Sequence, residues 1–183
     1  MSPLEPDDCA AMARRAAALI DVTALDRTET GASSVLWEDE ESIAWLNVMP
    51  EPRDTGYHDH DGSAVGICVI EGSVTNEGLP LGGPRRPRHY GPGDSFWLPG
   101  SAIHRMYHDA GAVTIHVYSP PLRSIGYYEI VGTAPAHPGT ARRSLTGEPA
   151  AAGIPRRTLT GRQLVQAVRQ PTGQVRDTAS GFA

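Results

Sequence analysis

Tyr57-His58-Asp59-His60-Asp61-Gly62-Ser63-Ala64-Val65-Gly66-Ile67-Cys68-Val69-Ile70-Glu71-Gly72 joins a His-x-His pair to an apolar run and closes that run with a turn. Side chains on an extended strand repeat with period two, so His58 and His60 share one face and Asp59 points to the other. The run from Val65 to Ile70 reads as a strand, stopped by the tight-turn signal Glu71-Gly72. The same pattern continues on both sides. Val35-Leu36-Trp37 and Ile43–Met49 flank the acidic turn Glu38-Asp39-Glu40-Glu41. Ser73-Val74-Thr75, Asp94–Leu98, Ile103–Tyr107 and Val113–Tyr118 follow, with a Pro/Gly/Arg loop over 80–92. Short strands this closely spaced, with Gly/Pro punctuation, make the region from about 34 to 130 a β-sandwich or barrel.

The flanks read differently. Residues 7–20 are rich in helix formers, with Asp7 or Asp8 as the cap and an apolar side of Met12, Ala16, Leu19 and Ile20. After about 132 the chain turns Ala/Pro/Gly/Thr/Arg-rich. It holds a small echo, Arg142–Gly147 and Arg156–Gly161, too few copies for a solenoid. Thr160 caps a short expected helix through Arg169, and the last dozen residues read as frayed. The expected division is an N-terminal helical segment (1–30), a barrel (31–132) and a partly irregular C-terminal extension (133–183).

Bulk composition excludes several classes. The 183 residues are 39% hydrophobic with net charge −5, which suits one globular domain with a core. All sixteen basic residues are arginine, and no basic run is long enough for a nucleic-acid footprint. Two cysteines, Cys9 and Cys68, do not make a disulfide scaffold, and Cys68 sits in an apolar run as a small buried hydrophobe. The N-terminus is acidic, with no long apolar core behind it, and no segment reaches membrane-span length. The expectation is a cytoplasmic, reduced protein with no membrane or nucleic-acid partner, monomeric or homodimeric.

His104, after Gly93–Pro99 and its turn, supplies a third imidazole to the His58/His60 pair. Three neutral imidazoles suit Fe, Zn, Cu or Ni, and such a site leaves coordination positions open, as catalysis requires. No carboxylate follows His60 at four or five residues, where Ala64 and Val65 stand. On Val113–Tyr118, the residues Thr114, His116 and Tyr118 alternate onto one face. A hydroxyl such as Thr114 holds one nitrogen of His116 and the other reaches the Tyr118 hydroxyl, a relay that directs a phenol into a pocket.

The order of these pieces resembles the cupin superfamily, whose second motif is matched by Gly93, Pro99 and His104, with Ser101 where glycine is usual. Within it the chain is similar to thiol dioxygenases of the cysteine dioxygenase type. The resemblance rests on His58-Asp59-His60, Glu71-Gly72, His104-Arg105 and Thr114-Ile115-His116-Val117-Tyr118-Ser119-Pro120-Pro121, and covers about residues 35–130. It implies a jelly-roll β-barrel and Fe(II) held by His58, His60 and His104. It also implies that a small thiol, L-cysteine by default, takes both atoms of O₂ onto sulfur to give the sulfinate. Tyr118 then meets the substrate, with His116 and Thr114 behind it. The alternatives are a related thiol, an unusual oxidised product of cysteine, or a non-oxidative metallocupin such as an isomerase or hydrolase.

Two departures stand out. Animal members crosslink the relay tyrosine to a cysteine whose place is taken here by Val65, so no thioether is expected. The family's carboxylate-binding arginine has no counterpart in Gly31-Ala32-Ser33-Ser34-Val35. Arg27, Arg53, Arg105 and Arg123 are the substitutes, with Arg123 first and Arg53 second as substrate-binding residues, because a guanidinium is the strongest carboxylate clamp.

Overall fold

The computed structural model describes residues 2–28, 31–79, 86–131 and 140–145. Helix α1 spans Pro6–Ala17 and a 3₁₀ turn spans Val22–Ala24. The strands are β1 (Ala32–Glu38), β2 (Ile43–Met49), β3 (Arg53–Asp54), β4 (Tyr57–Asp59), β5 (Ala64–Glu71) and β6 (Val74–Gly78). They continue with β7 (Arg88–Tyr90), β8 (Ser95–Leu98), β9 (His104–His108), β10 (Ala112–Ser119), β11 (Gly126–Val131) and β12 (Thr140–Leu145). One sheet has the order β1-β2-β10-β5-β8; the other runs β12-β11-β4-β9-β6-β7, with β3 also paired to β9. The arrangement is a mainly β, jelly-roll barrel of two antiparallel sheets.

Strand alternation explains the two cores. On β10, Val113, Ile115 and Val117 point outward and pack with Leu46 and Val48 of β2 and Cys9, Met12, Ala13 and Ala16 of α1. Between the sheets, Val65, Ile67 and Val69 of β5 meet Val74 of β6, Phe96 of β8 and Met106 of β9. Leu36 and Trp37 are consecutive yet both join the helix-side core, because a bulge shifts the register between Val35 and Trp37.

Helix α1 begins one residue before the expected stretch. Glu5 is the N-cap, without a side-chain capping bond, and Pro6 opens the first turn. Asp7 and Asp8 therefore complement the helix dipole from inside the first turn instead of capping it, and Arg14 and Arg15 do so at the other end. The helix stops at Ala17, which leaves Leu19 42% exposed and not on the buried side.

Gly66 lets α1 approach β5. A Cβ there would lie 2.0 Å from the Ala10 nitrogen and 2.1 Å from the Cys9 carbonyl carbon. Both obstacles are backbone, so the helix as a whole has to shift. Gly66→Ala is expected to destabilise the fold by about 3 kcal/mol, read as a lower urea midpoint. At Gly72, φ is +65° and a Cβ would come 2.8 Å from Ala112, as the Glu71-Gly72 turn signal requires.

The expected loop over 80–92 contains a strand, since Arg88–Tyr90 pairs with β6 as β7. Thr140–Leu145, beyond the expected end of the barrel, pairs with β11 and extends the second sheet. Residues 80–85, the Thr160–Arg169 segment, the second echo copy and the last dozen residues lie outside the described residues. No helix among the described residues is long and apolar enough to cross a membrane.

Candidate metal centre and its cavity

His58 and His104 are direct cross-strand partners on β4 and β9. His60 follows where β4 ends, in a turn with Asp61 at φ 51°. Asp59 faces away, as its alternation predicts. It accepts from the Asp61 amide at 3.0 Å, the Gly126 amide at 3.3 Å and the Tyr128 hydroxyl, tying the turn to β11.

The three rings converge with centroids 4.4–5.1 Å apart, and one ligand nitrogen from each lies within 4.8 Å of the other two. The His60 and His104 Nε2 atoms face each other at 3.3 Å. The outer nitrogens explain which face is offered. His58 Nδ1–H donates to the Gly56 carbonyl at 3.0 Å, and His104 Nδ1–H donates to Asn76 Oδ1 at 2.6 Å. Those bonds leave each Nε2 with its lone pair toward the cluster. His60 Nδ1 is buried with no partner. Burial lowers the pKa of all three rings, that of His60 to about 3, and neighbouring imidazoles depress His60 and His104 further. Three buried, neutral nitrogen donors, two of them with tautomers fixed by Nδ1 bonds, fit a divalent transition metal.

The cluster lines a cavity of about 600 Å³ that lies between the two sheets and opens to the surface. The wall opposite carries His116 and Tyr118 of β10, with Thr114 buried behind them, and the Tyr118 ring stands 5.1 Å from that of His60. Thr114 Oγ1 lies 3.1 Å from His116 Nε2, and His116 Nδ1 lies 3.1 Å from the Tyr118 hydroxyl. The chain extends past Thr114. Ser33 Oγ donates to Asn47 Oδ1 at 2.6 Å, and Asn47 Nδ2 donates to Thr114 Oγ1 at 3.5 Å. A hydroxyl has one proton and two lone pairs, so Thr114, accepting from Asn47, can give its own proton to His116 Nε2. In that tautomer His116 Nδ1–H donates to Tyr118, whose hydroxyl proton is left for the cavity. Burial pushes the Tyr118 phenol well above its ordinary pKa, so it remains a donor.

Val65 is the direct cross-strand neighbour of Tyr118. Cys68 packs on the helix side of the same sheet, away from the inter-sheet layer that holds Tyr118. Intact mass is expected to equal that of the unmodified chain; a loss of two hydrogens mapped to Tyr118 contradicts this.

The arginines separate clearly. Arg123 does not reach the cavity; its side chain is 72% exposed and paired with Glu38 at 2.8 Å. Arg27 pairs with Glu71, and Arg105 forms a two-pronged pair with Asp54. Arg53 lies on the cavity wall, with a long 3.4 Å bond to the Gly31 carbonyl and no carboxylate partner among the described residues.

Sequence reading passed over Asn47, Asn76, Trp45 and His108. The signal was there for His108, which stands four positions beyond His104 and so on the same strand face. His108 is 2% exposed, and neither of its ring nitrogens has a hydrogen-bond partner. Burial lowers its pKa to about 4, and hydrogen bonding toward the Arg53 main chain offsets part of this.

These buried histidines set an acid limit. Each folded-state pKa is below the free value, so the unfolded chain takes protons first as pH falls. Stability is full above about pH 6.5 and declines as pH drops through about 4. At pH 5 His108 alone removes about 2 kcal/mol. Urea unfolding of metal-free protein at pH 7 and pH 5 checks this, and His108→Gln is expected to flatten the slope.

No family model matches the sequence, and no curated protein sequence matches it. Solved structures do align. The chain is similar to KdgF from a Halomonas species, with 18% identity over 48% of this chain and 76% of that one at TM-score 0.43. It is similar to an RmlC-like cupin protein from Desulfovibrio desulfuricans, with 17% identity over 55% and 93% of the two chains at TM-score 0.44. An oxalate decarboxylase variant from Bacillus subtilis aligns at 18% identity and TM-score 0.44, over 52% of this chain and 27% of its own.

Proposed function

We propose that the protein is a non-haem Fe(II)-dependent thiol dioxygenase that converts a small thiol to its sulfinate. The balance is R–SH + O₂ → R–SO₂H: both oxygen atoms go to sulfur, and no external reductant is needed. His58, His60 and His104 would hold the iron, which supplies open positions that deprotonate the thiol and bring it together with O₂.

The observation that carries this reading is a relay from Thr114 through His116 that ends on the Tyr118 hydroxyl beside the imidazole cluster. A buried phenol beside three convergent imidazoles, its hydroxyl oxygen accepting from His116 Nδ1–H in this tautomer, has one proton left to offer at the reaction side. Tyr118 thereby donates a hydrogen bond to negative charge that develops on sulfur or oxygen, and its burial strengthens that bond. His116 and Thr114 keep the phenol in that orientation. Arg53 takes the acidic end of the substrate from the cavity wall; Arg123 is withdrawn from that role by its ion pair with Glu38.

Protein reconstituted anaerobically with Fe(II) is exposed to isotope-labelled O₂ with cysteine, cysteamine and 3-mercaptopropionate in turn. A thiol product heavier by two labelled oxygen atoms supports the reading. Absence of thiol-dependent O₂ uptake across the panel removes it.

A further inference from the structure

We propose that Asn47 is a positioning residue that sets the direction of the hydrogen bonds linking Thr114, His116 and Tyr118. It thereby decides whether the Tyr118 proton faces the cavity or is turned back onto His116. The consequence for turnover rests on the oxygenase reading above; the positioning itself does not.

Strand register brings the parts together. Ser33, Asn47 and Thr114 are direct cross-strand neighbours on β1, β2 and β10, and so form one row across the sheet. From Thr114 the bonds turn and run along β10, through His116 to Tyr118. The row and the strand meet at the Thr114 hydroxyl, which is fully buried. Among the described residues it has two partners, Asn47 Nδ2 at 3.5 Å and His116 Nε2 at 3.1 Å. A hydroxyl has one proton to give, so what Asn47 presents decides where that proton goes.

Burial keeps His116 neutral, and a neutral imidazole carries one N–H and one lone pair. The relay therefore has two self-consistent arrangements. In the first, Thr114 donates to Nε2, Nδ1–H donates to the Tyr118 oxygen, and the phenol proton is free for the cavity. In the second, Tyr118 donates to Nδ1, Nε2–H donates to Thr114, and Thr114 donates to residue 47. The second needs an acceptor at residue 47 facing Thr114. Ser33 prevents this. Its Oγ lies 2.6 Å from the near end of the Asn47 amide, a length normal for O–H···O and short for N–H···O. The oxygen of the amide therefore faces Ser33, and the nitrogen, which only donates, faces Thr114. The second arrangement would strand the buried Thr114 proton without an acceptor. An amide does not pass protons along, so Asn47 orients the relay and does not conduct through it.

The test reads the His116 tautomer directly. The full chain, with isotope-labelled histidine, is loaded with Zn(II) as a diamagnetic stand-in for iron. Long-range proton–nitrogen spectra then separate the protonated from the unprotonated ring nitrogen, and His116→Gln identifies the signals. The parent is expected to carry its proton on Nδ1. Asn47→Asp is measured at about pH 8, where a carboxylate bonded by two hydroxyls is ionised. Such a group only accepts, so the proton is expected to move to Nε2. Asn47→Leu removes the partner altogether and is expected to give both tautomers; it serves if Asn47→Asp fails to fold. With iron in place of zinc, Asn47→Asp is expected to keep its metal content while thiol-dependent kcat falls about tenfold at little-changed KM. An Nε2–H tautomer in the parent, Nδ1–H alone in both variants, or parent-level kcat after the tautomer has moved overturns the proposal. If the tautomer responds but no thiol consumes O₂, the oxygenase reading falls and the positioning role stands. If thiols consume O₂ and the tautomer does not respond, the reverse follows.

Discussion

His104→Ala is expected to weaken Fe(II) binding by at least a hundredfold, to below detection in dialysed protein. His104 is the member of the cluster with contacts on every side. Its Nε2 faces His60 Nε2 at 3.3 Å, its Nδ1 is anchored by Asn76 at 2.6 Å, and His58 is its direct cross-strand partner. Alanine removes one of three donors and leaves Asn76, itself buried, without its imidazole. Asn76→Ala keeps the ligand but frees its ring and tautomer, so a smaller loss of about 10- to 100-fold is expected. Metal analysis after anaerobic loading and dialysis measures both. The graded order, His104→Ala far below Asn76→Ala and that below the parent, is the signature. Unchanged iron content in His104→Ala would mean that the metal is held elsewhere.

Tyr118→Phe is expected to leave iron content at the parent level and lower kcat by about 10²- to 10³-fold. The ring is kept, so its packing against His60 at 5.1 Å and its place in the inter-sheet core persist. What is lost is the one proton aimed into the cavity, and His116 Nδ1–H is left without its acceptor. Thr114→Val acts one step further back. It removes the hydroxyl that fixes the His116 tautomer and is expected to give a smaller loss in kcat with the phenol still present. O₂ uptake and sulfinate yield are measured together, because a misdirected phenol is expected to consume O₂ without forming product. Parent-level turnover in Tyr118→Phe would remove the tyrosine from the reaction.

Much of this site was legible because strands have a period of two. His58 with His60, and Thr114 with His116 and Tyr118, are local patterns, and the backbone places such residues on one face wherever the strand lies. His104 needed only its turn and the apolar strands around it. The long-range partners were hidden for the converse reason. Asn76 holds His104 across β6 and β9, and Asn47 reaches Thr114 across β2 and β10; nothing local in Val74-Thr75-Asn76 or Ile43–Met49 says which strand will lie alongside. Arg123 failed on the same ground. Five residues from Tyr118 is near in sequence, but the chain leaves the barrel wall there and the guanidinium meets Glu38 outside.

By itself, then, the amino-acid sequence determined the class of fold, the N-terminal helix and the two facing sets of polar residues, because alternation and turn chemistry act over a few residues. Tertiary structure decided the rest: which arginine lines the cavity, how the relay continues through Asn47 to Ser33, and that His108 and Trp45 stand beside His116. Those facts depend on strand order and register between residues far apart in the chain, and pairing energies of that range are settled only when both sheets close around a common core.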